Sequence, residues 1–151
     1  MNIVLVGDQR TGKTSFVRRL IENQFTDSYI ATIAKELNVY IYNEQVIYIH
    51  DCSGLERYNK LNELYYQKAS GFILMYTDTY PTLWINKIPK DIPYLCVQNK
   101  SDIYQGGKIQ ISCKDNINIR QPIELLFPQM KAPKPFSWYT IVEYLLSFIN
   151  F

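Results

Sequence analysis

Histidine is nearly missing from this 151-residue chain, with His50 its single copy. One imidazole excludes a histidine-based metal cluster. No serine or cysteine is placed by the sequence to use it as a base, so His50 reads as a packing residue at a strand end. Cysteine is scarce as well: Cys52, Cys96 and Cys113 form no CxxC pair and no metal-ligand spacing. Their odd number, with no signal peptide, predicts free thiols in a reducing compartment, cytoplasmic or nuclear. The longest apolar runs, near 71–76 and 141–151, fall short of the roughly 20 residues that span a bilayer. Neither a glycine after Met1 nor a cysteine near the end is present, so no lipid anchor is expected. No block of like charge occurs. Sixteen Lys and Arg balance 14 Asp and Glu to a net +2, which gives no argument for nucleic-acid binding.

The chain is long enough for one sizeable core, with 47% of its residues hydrophobic, and too short for two ordinary domains. Apolar residues at 2–6 stop at Gly7, and from Lys13 to about Asn23 they recur at helical spacing. Residues 37–41 and 45–49 alternate around Asn43-Glu44, a polar pair suited to a hairpin turn, and the second run leads to Asp51. A helix over 61–69 comes next, then buried strands at 72–76 and 94–97. Strands alternating with helices predict an α/β fold with a mostly parallel, doubly wound sheet. The second half is compressed. Pro81 and Pro89 leave space for about two helical turns between 78 and 92. Between Asp102 and Ser112 only a short strand candidate at 108–111 fits, so no full crossover helix is expected there. A short helix around 119–127, a proline-spaced linker and an amphipathic segment from Trp138 to Phe151 complete the chain. Thirteen tyrosines and seven phenylalanines predict an aromatic-rich core.

Gly7-Asp8-Gln9-Arg10-Thr11-Gly12-Lys13-Thr14, continuing to Ser15, fits GxxxxGK[ST] between a strand and a helix. The glycines let backbone N–H groups turn inward around a β-phosphate, and the helix adds the positive end of its dipole. Lys13 would bridge β- and γ-phosphate oxygens while the Thr14 hydroxyl ligates Mg²⁺. Asp51-Cys52-Ser53-Gly54 places a carboxylate at a strand's carboxyl end, where it would meet Mg²⁺ through a water, and Gly54 can offer its N–H to a γ-phosphate. Asn99-Lys100-Ser101-Asp102 follows another strand. A carboxylate there has only acceptors, which matches the N1–H and N2 donors of guanine and leaves adenine unmatched. Ser112-Cys113-Lys114 closes the series, with a backbone N–H within prospective reach of guanine O6.

With these blocks in order, the sequence resembles the Ras superfamily of small GTPases, and within it most of all the Ran branch. The likeness covers about 130 residues: the phosphate loop with Thr11, Tyr29-Ile30-Ala31-Thr32-Ile33, Tyr65-Tyr66, and Asp115 to Pro122 after the Ser-Cys-Lys block. It implies a P-loop G domain over 1–130, shortened in its second half, with a linker and C-terminal helix at 131–151. It also implies that Thr32 ligates Mg²⁺ and contacts the γ-phosphate, that Phe25 packs on the base, and that Asn99 and Lys100 brace the phosphate loop and cover the guanine. GTP or GDP with Mg²⁺ is the implied ligand set. Effectors and regulators would act through switch I (24–36) and switch II (53–66) on a monomer engaged in nucleocytoplasmic transport.

Two departures bear on catalysis. Gly54-Leu55-Glu56 stands where the family reads Gly-Gln-Glu, and leucine cannot hydrogen-bond the attacking water, so hydrolysis is expected to be slow. Gln9 replaces a common glycine and would crowd an arginine finger, while Arg10 reads as an exposed, solvated side chain. Ran's acidic tail is absent as well, replaced by 136–151. Three alternative functions are open: a persistent GTP-bound switch or decoy, a hydrolase completed by a partner's arginine, and a fold in which nucleotide is incidental.

Overall fold

The computed structural model describes residues 1–28, 35–52 and 66–131. Its elements are β1 (Asn2–Val6), α1 (Lys13–Glu22), β2 (Lys35–Tyr42), β3 (Gln45–Cys52), β4 (Gly71–Tyr76), α2 (Thr82–Ile85), β5 (Tyr94–Gln98) and α3 (Gln121–Leu126), which runs into a short 3₁₀ turn at Phe127–Gln129. The described strands form one five-stranded sheet in the order β2-β3-β1-β4-β5. Only the β2–β3 pairing is antiparallel. This is the expected α/β, mostly parallel arrangement, and β1 stands at its centre.

The local reasons are visible along the chain. Asn43 and Glu44 both take positive φ (47° and 61°), the combination a two-residue hairpin needs to match the twist of its strands. β4 is buried at all six positions, as a strand covered on both faces must be. On one face Phe16 and Val17 of α1 pack with Ile49, Ile73 and Ile123. On the other, Val4, Phe72 and Leu74 meet Tyr66, Trp84 and Ile88.

The compression of the second half is real and sharper than the sequence predicted. Between 78 and 92 only the single turn of α2 forms, beginning directly after Pro81. No helix lies between Ser101 and Ser112. The strand candidate at 108–111 reduces to one parallel bridge, Gln98 to Gln110, flanked by hydrogen bonds from Gln98 N to Ile109 O and from Ile111 N to Gln98 O. The helix expected at 119–127 starts at Gln121, with Pro122 in its first turn, where the missing N–H costs nothing. The helix expected at 61–69 lies mostly outside the described residues, as does the whole segment after Lys131.

Candidate functional site

β1 delivers the chain to Gly7, whose φ of 138° and closeness to β4 admit no side chain: a Cβ there would stand 2.1 Å from the Met75 carbonyl oxygen. Gly12 has φ 90°, and a Cβ would stand 2.2 Å from Asn99 Nδ2. Between them the loop exposes Asp8, Gln9 and Arg10 while Thr11 is buried, its hydroxyl donating to Asp8 O at 2.9 Å. α1 begins at Lys13, with Ser15 in its first turn, so the free N–H groups of that turn face the loop.

Lys13 is buried, and Nζ donates to Gly7 O at 2.8 Å and Asp8 O at 2.7 Å. Burial lowers its pKa from 10.5 to about 8, against the opposing pull of the Asp51 and Asp8 charges. A cation held in this desolvated loop gains strongly from a phosphate. At the carboxyl end of β3, Asp51 is almost fully buried and accepts a hydrogen bond from Thr14 Oγ1 at 2.5 Å. Its other oxygen, Oδ1, is buried with no hydrogen-bond partner. Desolvation raises the Asp51 pKa, with the Thr14 bond and the Lys13 charge opposing. A buried carboxylate oxygen left over beside a threonine hydroxyl is the oxygen donor set that Mg²⁺ or its bound water takes up. The residues therefore fit the metal: Thr14 would ligate it directly and Asp51 through a water.

The base-side residues are joined to this loop by one side chain. Asn99, buried just after β5, donates from Nδ2 to Thr11 O at 2.9 Å and accepts the Cys113 N–H at Oδ1, 3.2 Å away. Lys100 takes φ 60° as the chain turns outward. Exposed Asp102 lies within 3.1 Å of the buried Ser112 hydroxyl, and Asp115 lies within 3.2 Å of the same oxygen. A hydroxyl has one proton, so the two carboxylates share it as alternatives. Lys114 is exposed beside them, and burial pushes the Cys113 thiol up to about 12.

Two contributors escaped the sequence reading. Arg19, in the last turn of α1, donates from Nε to Cys113 O (2.8 Å) and from Nη2 to Lys114 O (3.0 Å), while its guanidinium lies 5.7 Å from the Phe25 ring centroid. It ties the aromatic expected to pack on the base to the Ser-Cys-Lys loop. Trp84 donates from Nε1 to Asp8 Oδ1 at 2.9 Å, anchoring the phosphate loop from α2. Neither could be found by motif, because each hydrogen-bonds a partner 76 or more residues distant in sequence. Thr32, Gly54 and Leu55, with 29–34 of switch I and 53–65 of switch II, lie outside the described residues. His50 packs as expected, largely buried, with Nε2 3.0 Å from Asn2 Oδ1. Among the described residues no helix is long and apolar enough to cross a membrane.

Comparison with known proteins agrees with this geometry. The Ras family model matches residues 2–146. Similar proteins include the Ras-related protein RabT1 of Dictyostelium discoideum, 29% identical over 86% of this chain and 74% of that protein. Human Ras-related protein Rab-3A is 30% identical over 82% of this chain and 70% of its own length. The chain thus belongs to the Ras family of small GTPases, whose members bind GTP and GDP with Mg²⁺ and hydrolyse GTP.

Proposed function

We propose that this small GTPase is a switch that persists in its GTP state, because Leu55 occupies the position from which a glutamine would orient the attacking water. Support for nucleotide and metal binding comes from the buried, unpartnered Asp51 Oδ1 beside Thr14. Leucine removes the carboxamide needed for turnover while Gly54 keeps its N–H for the γ-phosphate, so binding survives where hydrolysis falters. Gln9, exposed on the phosphate loop, would further obstruct a partner's arginine. The Ran-like choice of partners rests on short motifs alone, notably Tyr29 to Ile33, whereas the relatives named above are Rab proteins.

Single-turnover hydrolysis tests the reading. The wild type is expected at or below the intrinsic rate of Ras, about 10⁻⁴ s⁻¹, and Leu55→Gln with Gln9→Gly is expected to accelerate it. A wild type at that normal rate, unchanged by the double variant, would show that another residue orients the water. The second reading, a GTP-locked decoy with no meaningful turnover, is favoured by the same Leu55. It is separated by nucleotide extracted from purified protein: GTP alone supports it, and a GDP fraction supports a slow enzyme.

A further inference from the structure

The β2–β3 hairpin carries an apolar face that nothing among the described residues covers. Leu37, Val39 and Ile41 alternate along β2 and are 53%, 52% and 68% exposed. Val46, opposite Ile41, and Tyr48, opposite Val39, extend the same face at 44% and 41%. β2 is also the sheet's edge strand. A contiguous apolar face on an edge hairpin is a surface that folded proteins ordinarily cover.

The end of the described chain lies at the same end of the sheet as the hairpin turn. Phe127 packs edge-to-face on Tyr42, the last residue of β2, with centroids 5.0 Å apart. Met130 lies against Gly71, which pairs with Ile3, the neighbour of the Asn2 opposite Tyr48. The chain thus reaches Lys131 at the hairpin-turn end of the sheet, on the face opposite the exposed residues. The six residues of 132–137 can extend about 20 Å, enough to pass the end of the sheet and reach its other face. The remaining segment needs cover of its own. Ten of the 14 positions from Trp138 to Phe151 are apolar, and the polar four, Thr140, Glu143, Ser147 and Asn150, recur at helical spacing as a single narrow stripe.

We propose that the C-terminal segment 138–151 docks on the outer face of the β2–β3 hairpin, over Leu37, Val39, Ile41, Val46 and Tyr48. Because β2 continues directly from switch I, any partner reading this hairpin must first displace the segment. The inference does not depend on the rate of hydrolysis.

Acrylamide quenching of tryptophan emission in the full chain tests it. The protein has two tryptophans and Trp84 is only 6% exposed, so accessible emission reports Trp138. The expected result is a shielded Trp138 in the monomer, and a severalfold rise in quenching for Val39→Lys with Ile41→Lys while GTP binding is retained. A Trp138 open to acrylamide in the wild type, or shielded only once anionic phosphatidylserine vesicles are added, would overturn the proposal. So would shielding that vanishes on dilution together with dimers, which would make the occupant a second copy, or shielding indifferent to the paired lysines. If those lysines prevent folding, Val39→Cys combined in turn with Val142→Cys, Leu145→Cys or Ile149→Cys keeps the question open to decision. An intramolecular disulfide in one of these pairs supports docking, and none in any refutes it.

Discussion

The phosphate side and the base side of the site are built by different means. On the phosphate side, consecutive residues do the work: a strand, two glycines with positive φ and a helix start hold Lys13 and Thr14 in place, and the fit is enforced by the Met75 backbone at Gly7 and by the Asn99 side chain at Gly12. On the base side, the crossover helix between the Asn-Lys-Ser-Asp and Ser-Cys-Lys blocks is missing, and side chains replace it. Asn99 joins both loops, Arg19 reaches Cys113 and Lys114 from α1, and Gln98 ties Thr77 O to the Gly107 N–H. A region specified by backbone sterics tolerates no substitution at its glycines. A region specified by side-chain hydrogen bonds loses stability in instalments.

The most damaging change should be Gly7→Ala. With φ at 138° and a carbonyl 2.1 Å from the new Cβ, strand β4 has to move, and a loss above about 4 kcal/mol is expected in urea unfolding, with nucleotide binding abolished. A near-normal midpoint would mean the loop yields more readily than a backbone-enforced fit allows. Next, Asn99→Ala strands the buried Thr11 carbonyl and the Cys113 amide together. About 3 kcal/mol is expected from two unsatisfied groups, with faster GDP release measured by stopped-flow. If only one side of the site responds, by hydrogen exchange, Asn99 does not couple the two.

Lys13 gives a pH test on the phosphate side. Its pKa falls from 10.5 to about 8 on folding, so between those values the unfolded chain binds more protons and stability rises with pH. Nucleotide-free wild type should gain up to about 3 kcal/mol relative to Lys13→Met from pH 8 to 10.5. Taking the difference removes the opposing contribution of Cys113, whose pKa is raised. A flat difference would show that the ammonium is not desolvated. Arg19→Ala should cost least, about 1–2 kcal/mol, confined to faster exchange at 112–114 and unchanged phosphate-loop protection. Equal loosening of both regions would erase the distinction between the two sides.

Most of the fold was legible because it depends on local periodicity: the alternation at 37–41 and 45–49, the helical spacing after Lys13 and the continuous apolar strand at 72–76 all appear where expected. Boundaries shifted where proline decided them, as at Pro81 and Pro122. The strand candidate at 108–111 shrank to a bridge because it meets β5 only at that strand's last residue, Gln98, and its next backbone bond, from Ser101 N to Ile111 O, comes from the turn beyond the strand, a placement no local pattern reveals.

By itself the sequence pointed to the phosphate loop, the Asp51 carboxylate and the block expected to select guanine, since their expected chemistry lies in residue type and short spacing: glycines to admit a backbone turn, Lys13 for phosphate, an acceptor-only carboxylate for guanine. Only the tertiary structure decided that Asn99 would be the bond between the two halves of the site. It likewise decided that Arg19 would hold the base-side loop, that Trp84 would anchor Asp8, and that Asp51 would keep one buried oxygen free for the metal. These depend on which groups the fold brings together from distant parts of the chain, and a hydrogen bond between residues 76 to 94 positions apart has no signature in either residue's neighbours along the chain.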